Sequence, residues 1–565
     1  MDTAKLRKQA QEQAKNFLEN ESEYRMGYIE AELPHPLTRK LSQTYAESTE
    51  KGVSMLLSVD AEMAGRAKEL LLSDSYTQFA DAVRNTLKNG GRVIWSGCGS
   101  SGRLCMRLEN SWRHAMDKLA LLHPEKAGYF EEMKGRVGSI MTGGDYAIIR
   151  AVECFEDSTN LGYKQAEGWQ LTEKDLLVGV TATGETTSIL GSAQGALDAG
   201  AGVYMLICSN PAPMLEKMER VRKIYTHPNC SYLFLPCGPM ALTGSTRMQS
   251  SSFEQLAGAI ALEDAIYDLM AACGYAAAPT DHAWHGKAYA DLIDQLSSKK
   301  SVSAIADMTR LEESVYRAGS VLTMYAEEYM LDVMTDTTER PPTFMTPPFT
   351  SLDMLDQPMS WAFVKNPSCE TRDAWQRCFA RPLRCIDWDG DQYRALGLSQ
   401  MQIDRIPRID DQALVRFCIG CEPLPERENK PGSLAMWVGK DAAPESFHTH
   451  AARYGQKTEY TLDNAGLNIP ETWMDIYEHL GMKIYLNTLS TGVMASMGRI
   501  DGNWMTCLAM SNKKLIDRSA RIVADVCSIP YEQALEECFY SSALIEAQNG
   551  QTPLSPAQEA IRRLS

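Results

Sequence analysis

From Gly91 onward, short apolar runs alternate with longer segments whose apolar residues recur at helical spacing. The runs 92–96, 136–141, 176–182, 202–208 and 231–236 read as strands separated by helices, the pattern of a parallel sheet covered on both faces. Residues 253–272 then form a long apolar helix, and 274–280 read as a linker. A second alternation begins near Lys300: 319–325 can be a strand and 329–334 its following helix, with further strands near 361–364, 383–387, 414–418 and 434–438. The two halves look like a diverged internal duplication. Before them, 51–90 read as an amphipathic helical pair marked by Met55, Leu56, Leu57, Leu70, Leu71, Val83 and Leu87. Residues 1–50 are polar and helical, interrupted at Pro34 and Pro36. After Gly498 the chain reads as helices, with Leu515, Ile522, Val523, Val526, Ala534 and Leu535 spaced for one buried face.

Three turns in the first alternation are rich in glycine and hydroxyl groups. Gly97-Cys98-Gly99-Ser100-Ser101-Gly102-Arg103 follows the first strand and leads into a helix. Thr181-Ala182-Thr183-Gly184-Glu185-Thr186-Thr187-Ser188 follows the third strand, and Gly238 to Met248 contains Thr243-Gly244-Ser245-Thr246-Arg247. Glycine lets a backbone approach a ligand closely, and a helix N-terminus offers unpaired amides to an anion. One such turn is an ordinary helix cap; three in one α/β unit point to a phosphate. None ends in the Gly-Lys-Ser/Thr of a Walker A motif. Gly97, Gly99 and Gly102 match G-x-G-x-x-G, but the paired serines favour a phosphate monoester over a dinucleotide pyrophosphate.

Composition narrows the partners. A length of 565 residues suits two or three domains, and a net charge of −17 argues against nucleic acid or an anionic membrane as the main partner. No run approaches a membrane span and no secretory signal is visible, so a cytoplasmic protein is expected. The 15 cysteines are scattered through apolar stretches as reduced thiols would be. Cys418 and Cys421 form a lone C-x-x-C, and Asp281-His282-x-x-His285 has no recognisable third ligand, so no metal or other cofactor is expected.

The motifs together resemble the sugar isomerase (SIS) superfamily, and within it the group of the N-acetylmuramic acid 6-phosphate etherases and the glucokinase regulatory protein. The first loop is similar to the etherases' G-A-G-T-S-G-R. Gly143-Gly144-Asp145-Tyr146-Ala147 with Val152-Glu153-Cys154-Phe155-Glu156-Asp157-Ser158 resembles G-G-E-Y-A…V-E-G-A-E-D-S. Thr243 to Met248 matches T-G-S-[ST]-R-M, and Ser511-Asn512-Lys513-Lys514-Leu515 is similar to [ST]-N-x-K-L. The resemblance spans about 50–565. It implies an α/β protein of two tandem SIS-type, flavodoxin-like parallel-sheet domains in a pseudo-dimer with a C-terminal helical cap. The implied ranges are 1–50 for an N-terminal helical segment, 51–280 and 281–497 for the two SIS domains, and 498–565 for the cap.

The resemblance implies a sugar 6-phosphate ligand held by Gly99, Ser100, Ser101, Thr183, Gly184, Thr186 and Ser245, with Lys514 neutralising the phosphate or orienting a lactyl carboxylate. Etherase chemistry needs a base for the proton next to the N-acetyl-bearing carbon and an acid for the departing lactate oxygen. One family glutamate matches Glu156, with Glu153 three residues before it on the same helical face. The other, in D-A-S-E-C-P-P-T, falls on Ser111 in the first half, but Asp336-Thr337-Thr338-Glu339-Arg340-Pro341-Pro342-Thr343 carries it in the second. The second half's own loop is degraded to Tyr325-Ala326-Glu327-Glu328-Tyr329, where two carboxylates would repel a phosphate. A helix from Gly102 to Ser111 spans roughly 13–15 Å, too far for position 111 to serve its own loop. The expectation is therefore one composite site, with Glu156 and the phosphate loops from one half and Glu339 and Lys514 from the other half or the cap. Departures from the etherase pattern at Met240 and Gln249 leave three readings open: a lyase releasing lactate, a non-catalytic sugar-phosphate sensor, and a sugar-phosphate isomerase. The chain is expected as a homodimer, or a monomer with its pair built in; no motif supports a kinase partner.

Overall fold

The computed structural model describes residues 3–152, 154–275, 281–354, 356–510, 512–548 and 554–565. Glu153, Ser511 and most of the expected linker, 276–280, lie outside the described residues. The first half holds five strands, β1 (Val93–Gly97), β2 (Val137–Met141), β3 (Leu176–Thr181), β4 (Gly202–Ile207) and β5 (Cys230–Phe234). They pair in parallel in the order β2-β1-β3-β4-β5. β1, β2 and β3 are buried along their whole length, as continuous apolar runs between helical layers must be. The second half holds β6 (Leu322–Tyr325), β7 (Ala362–Lys365), β8 (Leu434–Gly439) and β9 (Gln456–Thr461), parallel in the order β7-β6-β8-β9. That order repeats the first four positions of the other sheet.

Two expected strands are absent. Residues 383–387 run as irregular chain because their hydrogen bonds go to the first half: Asp145 donates its amide to the Arg384 carbonyl, and the Arg384 amide donates to the Asp145 carboxylate. Residues 414–418 give way to the short helix Asp411–Leu414, which Asp410 caps by accepting the Ala413 amide at 2.8 Å. Conversely, β9 and the buried helix Ile476–Ser496 were not expected. That helix carries no amphipathic stripe because nearly all its faces are covered.

The halves are joined by buried ions. Arg107 meets Asp332 at 3.1 Å, and Arg381 forks onto Asp145 at 2.7 and 2.8 Å while reaching Glu109 at 3.2 Å. After Gly498 come the helices Lys513–Cys527, Tyr531–Ala547 and Pro556–Leu564, with Ile522, Val523, Ala534 and Leu535 buried as their spacing requires. The amino-terminal stretch packs on the carboxyl-terminal helices. Its helix Thr3–Asn20 packs on Tyr531–Ala547, and the fully buried Glu32 takes Arg518 and Arg521 in ion pairs. Among the described residues no helix is long and apolar enough to cross a membrane, and no disulfide joins the cysteines.

Candidate active site

In a parallel sheet ordered 2-1-3-4-5, the order in which the chain lays down its strands reverses between β1 and β3, and the crevice beyond their carboxyl ends is where such folds take ligands. Both hydroxyl-rich turns sit there. The turn after β1 is so tight that a side chain at Gly97 would place its Cβ 2.6 Å from the Gly102 nitrogen and the Ser101 carbonyl oxygen. The helix Gly99–Leu122 starts directly from it, with no side-chain cap from Cys98, so its first amides lack intrahelical partners. The third turn closes on the first through Ser100 and Thr246, whose hydroxyls are 3.1 Å apart. It bends at Gly244, where φ is +74° and the Arg518 Nε would lie 2.6 Å from any Cβ.

These turns wall a cleft of about 340 Å³ that also receives residues from the second half and the carboxyl-terminal helices. Of the residues singled out in the sequence, Gly99, Ser100, Ser101, Thr183, Thr186, Ser245, Lys514, Glu156 and Glu339 all line it. Gly184 does not: it forms the turn behind the wall, donating its amide to Thr181 and accepting the Tyr225 hydroxyl at its carbonyl at 2.8 Å. Thr183 also spends its hydroxyl locally, on Glu185 at 3.1 Å, and the Thr181 and Thr186 hydroxyls are 2.8 Å apart. Ser111 is buried farther along the helix Gly99–Leu122, where Arg107 and Asn110 bind the second half, and is not on the cleft wall. At the carboxyl end of β6, where the sequence carries two carboxylates in place of a glycine-serine turn, Tyr325 packs among Phe447, Tyr454 and Trp437, and Glu327 and Glu328 are exposed.

The two glutamates reach the cleft in different surroundings. Burial pushes the Glu156 carboxyl above its ordinary 4.5, while Lys514 opposes the shift. Its segment is tied to the second loop, because the Ser188 amide donates to the Glu156 carbonyl at 3.0 Å. Glu339 is ion-paired with Arg103, which also donates to the Thr338 hydroxyl at 3.1 Å and to the Ile148 carbonyl at 2.9 Å. Arg103 thus bridges the halves across the cleft, a role its place in the first motif did not disclose. Arg247 does the same for the third loop: it meets Asp336 at 2.8 Å and Thr491 at 2.8 Å, yet its buried Nε has no hydrogen-bond partner among the described residues. Lys514 stands 4.0 Å from Glu32, a carboxylate that burial disfavours but that Arg518 and Arg521 hold well below its ordinary range.

Among the described residues no three His, Cys, Asp or Glu side chains are arranged to hold a metal ion. His282 bonds to Asp264 at 2.9 Å and His285 to the Tyr477 hydroxyl at 2.8 Å, so the two imidazoles serve packing contacts. The cleft can therefore offer an anion helix amides, serine hydroxyls and a lysine, and offer a bound sugar two carboxyl groups in unlike environments.

Known proteins match part of this chain. Residues 76–197 match the family described as the glucokinase regulatory protein N-terminal SIS domain. An N-acetylmuramic acid 6-phosphate etherase of Christiangramia forsetii is 31% identical over 182 residues, which are 32% of this chain and 57% of that protein. One of Yersinia pestis is 31% identical over 186 residues, 33% of this chain and 55% of the relative. The chain thus spans little more than half the length of these curated relatives. Among solved structures, tagatose-6-phosphate ketose/aldose isomerase from Escherichia coli aligns over 84% of this chain and 97% of its own, at 10% identity and a TM-score of 0.39. Residues 76–197, which carry the first two loops and Glu156, are thus similar to the SIS domain of the glucokinase regulatory protein, and part of the chain is similar to N-acetylmuramic acid 6-phosphate etherases.

Proposed function

We propose that the protein is a lyase that cleaves the lactyl ether of N-acetylmuramic acid 6-phosphate to N-acetylglucosamine 6-phosphate and lactate. The observation that carries this reading is that Glu156 and Glu339, from opposite halves, line one cleft with three hydroxyl-bearing loops. In this reading the chain is a tandem pair of SIS domains, 51–280 and 281–497, acting as a built-in dimer under a cap formed by 498–565. The sheet order shared by the two halves supports the duplication.

The 6-phosphate sits on the first amides of the helix Gly99–Leu122 with Ser100, Ser101 and Ser245, and Lys514 takes the lactyl carboxylate. Glu339 removes the proton at C2 of the open-chain sugar, where the neighbouring carbonyl makes it acidic. The C3–O bond breaks, and the departing oxygen keeps the electron pair and takes a proton from Glu156. Water adding across the resulting double bond restores a hydroxyl at C3. Burial, which favours the protonated form of Glu156, supports giving it the acid role.

Lactate release from N-acetylmuramic acid 6-phosphate tests the assignment. Glu156→Gln and Glu339→Gln each lose turnover while ligand still binds. In deuterated solvent Glu156→Gln still exchanges the C2 proton and Glu339→Gln does not. Full lactate release by either variant ends the two-carboxylate reading. A sugar-phosphate sensor is the second reading, favoured by the Arg103–Glu339 ion pair, which engages the carboxylate that would act as base. It expects thermal stabilisation by sugar phosphates with no lactate formed.

A further inference from the structure

Behind the first phosphate loop lies an acid that the reaction does not use. Glu254, on the helix Gln249–Ala272 that follows the third loop, is completely buried. Its Oε2 is 3.0 Å from the Ser101 hydroxyl, and its Oε1 takes the Cys208 thiol at 3.7 Å. Ser101 is one of the cleft-lining residues of the loop that offers an anion its helix amides. A hydroxyl has a single hydrogen, so Ser101 can give it either to Glu254 or to a ligand.

We propose that Glu254 is a positioning residue for the sugar-phosphate site, and that its protonated carboxyl turns the hydrogen of Ser101 into the cleft. This rests on the sugar-phosphate reading of the cleft and not on the lyase chemistry. With its proton, Glu254 donates to the Ser101 oxygen, and the serine hydrogen is free for the phosphate. Without it, the carboxylate takes that hydrogen and leaves the serine lone pairs facing the anion. It also sets a negative charge behind a site built for a dianion, where low polarity strengthens the repulsion.

The surroundings favour the protonated form. The titratable groups near the carboxyl are the Cys105 thiol on the helix of Ser101, the Cys208 thiol beyond β4, and Lys483 on the helix Ile476–Ser496. Among the described residues Lys483 forms no ion pair with Glu254; burial brings its amine down to about 7, and its nitrogen donates to the Arg247 and Met248 carbonyls, Ser252 and Asn487. Burial outweighs Ser101, Cys208 and Lys483 and pushes the Glu254 carboxyl up to about 8. Phosphate binding should therefore weaken as pH rises through that value.

The test is calorimetric titration of the full chain with N-acetylglucosamine 6-phosphate between pH 7 and 9.5, a range in which the phosphate stays dianionic because its second ionisation lies near 6. If only the protonated form binds, wild-type affinity falls on the order of 30-fold across that range. Glu254→Gln keeps a donor to Ser101 without the ionisation, so its affinity stays within about threefold throughout. Ser101→Ala binds more weakly at pH 7 and falls less steeply than wild type. A flat wild-type profile, a Glu254→Gln profile as steep as wild type, or a Ser101→Ala fall as steep as wild type overturns the inference while leaving the binding site intact. No binding by wild type at any pH overturns it together with the sugar-phosphate reading.

Discussion

Replacing Glu32 by glutamine removes one buried charge while keeping the side chain's shape. Glu32 is fully buried, with Arg518 at 2.5 and 3.0 Å and Arg521 at 2.8 Å. Arg521 keeps a second carboxylate, Asp517, at 2.8 Å, whereas Arg518 pairs with Glu32 alone among the ion pairs of the described residues. Breaking a buried pair costs about 3–5 kcal/mol because the survivor stays desolvated and unpaired. One orphaned guanidinium rather than two places the cost near the lower end, about 3 kcal/mol. Glu32 fastens the amino-terminal stretch to the helix Lys513–Cys527, so the loss appears first as local opening of those two segments. Native-state hydrogen exchange at pH 7 should then accelerate about 150-fold in 26–38 and 513–521, since 1.4 kcal/mol is a factor of ten. The sign with pH follows from the depressed carboxyl: the stabilisation is fully present above the ordinary 4.5 and is lost as pH falls toward the lower folded-state value. At pH 7 the wild-type protein therefore holds all of it. An acceleration below about fivefold would refute the claim that this ion cluster anchors the segment.

Further expectations follow from the same geometry. Gly97→Ala places a methyl 2.6 Å from backbone atoms of the helix turn, so the loop must shift. Overpacking of this kind costs about 1–3 kcal/mol, and sugar-phosphate affinity should fall about tenfold or more; unchanged affinity by calorimetry would contradict the loop's role. Arg340→Met leaves Glu312 and Asp336 buried without the guanidinium that meets them at 2.5 and 2.8 Å, at a cost of about 3–5 kcal/mol. Its thermal unfolding should move well below wild type, and an unshifted transition would show that the cluster does not secure the Glu339 segment. In the lactate assay, kcat should fall as pH rises through the raised Glu156 value, because the acid must hold its proton. A kcat that climbs through that range would reverse the acid and base assignment.

Much of the cleft was legible because its residues sit in short local motifs. A glycine turn after an apolar strand, with serines opening a helix, is fixed by neighbours within a few positions. Ser100, Ser101, Thr186 and Ser245, which the local turns and the family resemblance together single out, all line the cleft. Gly184 lies off the cleft wall although its turn resembles the others in sequence, because its amide and carbonyl are consumed behind the wall. Arg103 and Glu254 could not be read, since an arginine after a glycine turn or a glutamate inside a helix signals nothing until its partner is placed. Those partners, Glu339 and Ser101, lie 236 and 153 residues away.

By itself the sequence determined the alternation of strands and helices in the first half, the three loops, and the loss of the equivalent loop in the second half. Hydrophobic period and turn chemistry are local properties, and they survive without knowledge of the rest of the chain. Only the tertiary structure decided that 383–387 runs as an irregular clasp on Asp145, that the amino-terminal stretch is riveted through Glu32 to the carboxyl-terminal helices, and that Arg103 spans the halves to Glu339. In each case the outcome turns on a buried charge finding its opposite across a long separation in sequence. The desolvation of such a charge is settled by what surrounds it in space, which no local pattern encodes.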